Sequence, residues 1–345
     1  MRLQSLSPIS TKPLRRVTAR LVSLWIRARP ARYMRWRCTV TFALSFFACR
    51  DVPPPPPPSG IQDLPTIVVS EQGLDAPTAV IHDPRADVYL VTNAPAARGN
   101  ANQPGFVARL APSGKVLNAR WIVGGRRQVE LRHPTAMAIR GDTLFVTDQT
   151  CVRLFHRESG LSLGSICPDG AAELAGLTVR NRVVYVTDRS ATPGNGFSVI
   201  AIDSLGHVSP VEGSEALSHP SGIAAGPWGL FVTRTGEDYV SQLTRTGARP
   251  LLRGSAKQSG GIVAAREGSF AFSNSTDSAV HYVDVRFAKG RGALYTLARQ
   301  LAEPGQLGYD ASRDRILIPE AGRNRITFVD MMNSEGPYVP AYDTR

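Results

Sequence analysis

From residue 61 onward the chain alternates apolar and polar positions with a period of two, and Gly, Pro, Asn or Asp punctuates every junction. Successive side chains on a strand point to opposite faces, so this pattern predicts half-buried strands. No stretch carries the period of an amphipathic helix. One element recurs, an apolar strand that ends in a small hydroxyl and a polar residue: VYLVTN at 88–93, LFVTD at 144–148, VVYVTD at 183–188, LFVTR at 230–234, and the looser FAFSN at 270–274 and ILIPE at 316–320. After each copy comes a second alternating strand running into a Gly or Asp turn, as in FVARLAPSG and FSVIAIDSLG. Before each sits a third, often opened by Pro, as in APTAVIH, HPTAMAI and HPSGIAA.

Counted at Thr92, Thr147, Thr187, Thr233, Ser273 and Pro319, the steps are 55, 40, 46, 40 and 46 residues. Units of about 40 to 50 residues with four strands each have the arithmetic of a propeller. A sheet this small cannot bury both faces alone, so the units must stack radially and close. The predicted fold is therefore all-β, a six-bladed β-propeller of four-stranded antiparallel blades over residues 61–337, with a tail at 338–345. After ITFVD at 326–330 the last unit lacks a fourth strand, whereas TIVVS at 66–70 precedes the first unit without a partner. TIVVS is predicted to complete the sixth blade as its outer strand, which removes edges that would otherwise template aggregation.

The N-terminal segment reads as an address. Arg35 and Arg37 precede a ten-residue apolar stretch, Thr39 to Ala48, that stops at Cys49. Ten residues are too few to span a bilayer as a helix, which takes about 20, but they match the centre of a secretory signal. Phe46-Phe47-Ala48-Cys49 resembles a bacterial lipoprotein box, which implies lipidation at Cys49, a membrane anchor and a periplasmic or envelope location; the alternatives are an uncleaved signal anchor or a buried Cys. Residues 1–33 are basic and unpatterned, and translation from Met34 would leave a compact signal at 34–49. Within 50–60, Pro53 to Pro58 favour a polyproline helix, a stiff spacer of roughly 19 Å.

Charge then narrows the choice of partner. The formal net charge is +12, yet residues 1–50 hold 11 Lys or Arg and no acid, leaving 29 basic against 28 acidic residues from Asp51 onward. A near-neutral folded part lacks the basic footprint of a nucleic-acid binder. Of the four cysteines, Cys38 lies inside the signal and Cys49 is the lipid candidate. Cys151 and Cys167 flank a hairpin with its turn at Arg157 to Leu161, and a register with His156 opposite Ser162 sets the two thiols across from one another. A disulfide there requires an oxidising compartment; the alternative is two buried thiols.

The units, above all PEAGRNRITFVD and HPTAMAIRGDTLFVTDQTCVRLF, resemble NHL-type repeats of six-bladed propellers, a superfamily shared with gluconolactonase-like enzymes. For those enzymes the resemblance implies a Glu at the first-blade entry and Asn or Asp at later inner-strand positions, holding a divalent cation. Here the first entry is Ala76-Pro77-Thr78, and Ala175, Ser221 and Gly261 stand at later ones, so that ligand pattern is not matched.

Little else carries chemistry. Gly160-Leu161-Ser162-Leu163-Gly164 spells a hydrolase nucleophile motif, but it lies in a hairpin and lacks the strand-to-helix turn that the motif needs. Asn93, Asp148, Asp188, Asn274 and Glu320 end the second strands, where short polar side chains hydrogen-bond the backbone of the following turn. Three residues before a Pro turn, His133, His219 and Glu303, fall in blades two, four and six, and a third of a turn between them would let them converge on the axis as a metal set. Two functions follow: a non-enzymatic binding or interaction module using the face that carries the long loops 94–105 and 189–196, for a protein, peptide or glycan; or a metal-dependent, lactonase-like hydrolase centred on the channel.

Overall fold

The computed structural model describes residues 66–69, 73–99, 102–126, 129–194, 198–235, 238–253, 259–284 and 293–331. The signal segment, Cys38, Cys49, the proline spacer and the tail at 338–345 lie outside the described residues, as do positions 100–101 and 195–196 of the two long loops.

The described chain forms six four-stranded antiparallel sheets. Blade one contains β2 (Pro77–Asp83), β3 (Val88–Asn93), β4 (Phe106–Leu110) and β5 (Val116–Val123). Blade two contains β6 (Pro134–Arg140), β7 (Thr143–Asp148), β8 (Cys151–His156) and β9 (Ser162–Ile166). Blade three runs β10 (Leu174–Arg180), β11 (Val183–Asp188), β12 (Val199–Ile202), β13 (Val208–Pro210), and blade four β14 (Pro220–Gly226), β15 (Gly229–Arg234), β16 (Asp238–Thr244), β17 (Gly247–Arg253). Blade five runs β18 (Ser259–Ala264), β19 (Ser269–Asn274), β20 (Ala279–Asp284), β21 (Ala293–Ala298). Blade six contains β22 (Gly308–Asp310), β23 (Arg315–Glu320), β24 (Arg325–Asp330) and, as its outer strand, β1 (Thr66–Val69). The predicted closure is observed, with Thr66 opposite Val329 and Val69 opposite Ile326.

The first strands of successive blades touch around the axis, and apolar side chains of facing sheets fill the space between blades. Val80, Tyr89 and Phe106 of blade one pack on Leu317, Ile326 and Phe328 of blade six. On the other side, Ala79, Leu90 and Val107 meet Met137, Leu144 and Val146 of blade two. The period-two pattern gives each central strand apolar residues for both neighbours, and complete burial of each such large side chain contributes about 1.5–3 kcal/mol.

The recurring hydroxyl has a structural task. The Oγ1 of Thr187 accepts from the Gly176 amide of its own blade at 2.7 Å and donates to the Ser221 carbonyl of the next at 2.6 Å. Thr233 repeats this between Gly222 and Gly260, and Ser273 between Gly261 and Gly305. Thr147 does so between Ala136 and Ala175. In blade one Thr92 sits against Thr78, whose hydroxyl reaches the Pro134 carbonyl of blade two at 2.7 Å. Blade six has Pro319 in that place, and its inner segment bonds blade one through backbone instead, with the Gln306 amide donating to Thr78 O at 2.8 Å and the Val80 amide to Gln306 O at 3.3 Å. That contact requires Gly305, since a Cβ there would stand 2.1 Å from the Thr78 carbonyl oxygen.

Cys151 and Cys167 form a disulfide joining the ends of β8 and β9. The predicted register holds near the bridge, where Val152 faces Ile166, but not at the turn. Phe155, not His156, faces Ser162, because a bulge between Leu154 and Phe155 leaves Leu163 as the extra residue. His156 instead donates its amide to the Leu161 carbonyl.

Candidate functional site

Connections fall on two faces. Segments entering the first strands and loops joining second to third strands share one face; turns joining first to second and third to fourth strands share the other.

On the first face the polar residues that end the second strands are turned into the fold. Asp148 is fully buried, and its Oδ1 accepts from the amides of Arg132 at 2.9 Å and His133 at 2.6 Å. Asp188 accepts from Ala172 and Glu173, Asn93 from Asp75, and Glu320 from Ala302. The expectation was a bond to the following turn, which holds for Asn274 with Thr276 and for Asp188 with Ser190. At Asn93, Asp148, Asp188 and Glu320 the side chain fastens the segment that enters the first strand of its own blade. This segment carries orphan amides before the ladder begins, and a buried amide requires an acceptor. Glu320 also receives Arg325 and Thr327. Burial pushes its carboxyl up, but hydrogen bonds from Arg325, Thr327 and the Ala302 amide outweigh that and leave it below the usual carboxylate range.

His133, His219 and Glu303 lie on this face but do not assemble. His219 is exposed, has φ 48°, and directs Nδ1 to the Arg189 carbonyl at 3.0 Å. Glu303 is exposed with φ 54°, and His133 is half-buried with its amide on Asp148. Among the described residues no three His, Cys, Asp or Glu stand close enough to hold a metal ion. The entry segment is bent at His219 and Glu303 by a left-handed backbone and at His133 by the bond of its amide to Asp148. The Gly160–Gly164 motif likewise forms no nucleophile turn: Ser162 is exposed on β9, and no helix follows.

The opposite face holds the concave features. A cavity of about 450 Å³ opens at the axis, lined by all six inner segments through Ile81, Met137, Leu177, Ile223, Ile262 and Leu307 among others. At its rim a polar network crosses the seam between blades six and one. Tyr89 donates to Asp310 at 2.8 Å, His82 stands 3.0 Å from Asp87 and 3.3 Å from Asp310, and Arg313 pairs with both acids. Hydrogen bonds from Arg313 and His82 bring the Asp87 carboxyl down to about 2. Burial together with the bond to Asp310 pushes the Tyr89 phenol up.

The sequence carries a signal for this network outside the repeated strand pattern. Asp83-Pro84-Arg85-Ala86-Asp87 and Asp310-Ala311-Ser312-Arg313-Asp314 share the spacing Asp-x-x-x-Asp at the same turn of blades one and six. In both the first Asp accepts from amides two and three residues on, and the second has φ 47°. The preceding side chain meets the second Asp in both: His82 faces Asp87, and Tyr309 donates to Asp314 at 2.7 Å.

Beside the axial cavity, a second one of about 420 Å³ lies between blades one and two. It is lined by Asp83, Arg85, Arg109, Asp142, His156 and Glu158, with Ala86 and Arg157. Arg157 clamps Asp83 at 3.0 Å from Nε to each carboxylate oxygen, and Arg85 pairs with Asp142.

No protein-family model and no curated protein matches the chain. Solved structures do. A gluconolactonase from Xanthomonas campestris superposes with a TM-score of 0.56 at 14% identity, covering 78% of this chain and 90% of that one. Virginiamycin B lyase from Staphylococcus aureus gives 0.54 at 13% identity over 78% and 99% of the two chains. A luciferin-regenerating enzyme gives 0.58 at 10% identity over 78% and 95%. The chain is a six-bladed β-propeller of this shared architecture. At such identities the likeness speaks to fold alone, because one scaffold hosts many unrelated sites. The entry positions compared above, Ala76-Pro77-Thr78, Ala175, Ser221 and Gly261, hold no acid or amide.

Proposed function

We propose that this propeller is an exported, membrane-tethered binding module that recognises a protein, peptide or glycan without catalysis, through the face carrying the loops at 94–105 and 189–196. One observation carries the reading: the acidic and amide side chains that end the second strands on that face are held by backbone amides and guanidinium groups of the fold itself, so they fasten the scaffold rather than reach for substrate. What the face presents to solvent is loop surface such as Ala97, Arg132, Pro193 and His219. Loops on a rigid scaffold are where recognition usually resides. The disulfide supports an oxidising compartment, in keeping with an export signal and lipid at Cys49.

A photo-crosslinking amino acid at Ala97 or Pro193, with Arg182 and Leu205 on the opposite face as controls, tests this in cells that make the protein. Discrete adducts are expected from the first pair only, and adducts from the control pair alone would overturn the face assignment. Intact mass of the mature protein should show an N-terminal Cys49 bearing acyl chains; a chain that begins elsewhere removes the tether.

A further inference from the structure

The cavity between blades one and two contains two charges that the fold leaves unbalanced. Of its three guanidinium groups, Arg157 is clamped on Asp83 and Arg85 pairs with Asp142. Arg109 has no ion pair and no hydrogen bond among the described residues. Its guanidinium carbon stands 5.0 Å over the Trp121 ring, which fixes the plane of the group, and its Nε is buried without an acceptor. Charge can therefore be met only at its terminal nitrogens. Glu158, exposed on the turn after β8, lines the same cavity and makes no ion pair among the described residues; its one longer-range attraction is to Arg85, whose guanidinium is already bonded to Asp142. His156 lines the cavity too, and because its Nδ1 accepts from the Ser159 amide at 3.2 Å its Nε2 is the ring donor.

An unmatched cation and an unmatched anion that line one cavity without pairing with each other are complementary to a small molecule carrying both charges. We propose that this cavity binds a zwitterion, a free amino acid or a dipeptide, with its carboxylate on Arg109 and His156 and its ammonium on Glu158. A stacked guanidinium is pre-organised for the planar carboxylate, so little rotamer freedom is lost on binding. The volume of about 420 Å³ lies in the lower part of the range, about 300–1,000 Å³, of small-ligand sites. The site lies on the face opposite the loops at 94–105 and 189–196, so it stands or falls independently of the interaction surface proposed above.

Saturation-transfer NMR on the purified chain, first with the twenty free amino acids and then with glycylglycine, provides the test. Signal is expected for at least one zwitterion at millimolar concentration. Acetylating the amine or amidating the carboxylate of the bound compound should each weaken it at least tenfold. Arg109→Gln should weaken the zwitterion and the acetylated form alike, Arg109→Lys should fall between, and Glu158→Gln should weaken only ligands with a free amine. Glu158 is exposed, so that variant keeps its thermal midpoint and reads the site even where Arg109→Gln lowers stability. Absence of transfer from every compound, capped forms that bind as well as the zwitterion, or a Glu158→Gln protein with unchanged binding would each overturn the proposal.

Discussion

The Thr or Ser near the end of five of the six second strands was legible as a repeat mark, and its physical reason is the link between blades. Thr187 is buried, and its hydroxyl satisfies one amide and one carbonyl on two different blades. Thr187→Val keeps the shape and removes both bonds, leaving Gly176 N and Ser221 O without their partner. About 1–3 kcal/mol of stability should be lost, read as a shift in the urea midpoint with an unchanged slope. A second residue-scale test concerns Asp148, which caps two entry amides: Asp148→Ala should cost more than Thr187→Val, because Arg153 loses its buried partner as well. The mark was readable since one position serves the same purpose in blade after blade. At this scale His133, His219 and Glu303, expected from spacing to converge, are not brought together as a metal-holding group among the described residues. Sequence spacing placed them in alternate blades, whereas side-chain direction depends on local φ at the entry, which is 48° at His219 and 54° at Glu303.

At the scale of elements, alternation located three strands of each blade and the repeat length implied the fourth, and TIVVS was assigned to the last blade because it was the one strand without a neighbour. Its weak pattern, three exposed residues and a buried Val69, suits an outer strand. Deleting residues 61–72 should therefore lower the thermal midpoint and, by baring the free edge of β24, increase self-association on size-exclusion chromatography. The hairpin of β8 and β9 was located correctly but misregistered at its turn, since period-two reasoning has no way to count a bulge that the chain absorbs near Gly164, which has φ 115°. The disulfide spans a separation of 16 residues, and in the chain-entropy account closing such a loop contributes about 3 kcal/mol. Cys151→Ser with Cys167→Ser should lose an amount of that order, and a reducing agent should reproduce it on the unmodified protein.

For the molecule as a whole, six units closing into a ring was the part most legible from sequence, and the polar contacts that hold neighbouring blades together were the least. Asp83 pairs with a residue 74 positions away and Asp87 with one 226 positions away, so no window along the chain shows both partners. These contacts set the response to acid. At Asp83 burial raises the carboxyl, but the bond from Arg157 and the amides of Ala86 and Arg85 bring it below its ordinary value. At Asp310 burial is likewise outweighed, by Arg313, Tyr89 and the Ser312 amide with His82 nearby. Glu320 behaves the same way. Since each group holds its proton less tightly folded than unfolded, the unfolded chain takes up protons first as pH falls. The contribution of these seams is thus complete above the ordinary carboxylate range, about 4, and is lost progressively as pH drops through the lower folded values. Urea midpoints measured between pH 7 and pH 2.5 should stay level to about pH 5 and then fall steeply. Because one pair joins blades one and two and another joins six and one, Asp83→Asn and Asp310→Asn should each flatten the acid limb and lower the plateau at neutral pH. A double variant whose acid limb matches the parent's would show that the pH response arises elsewhere.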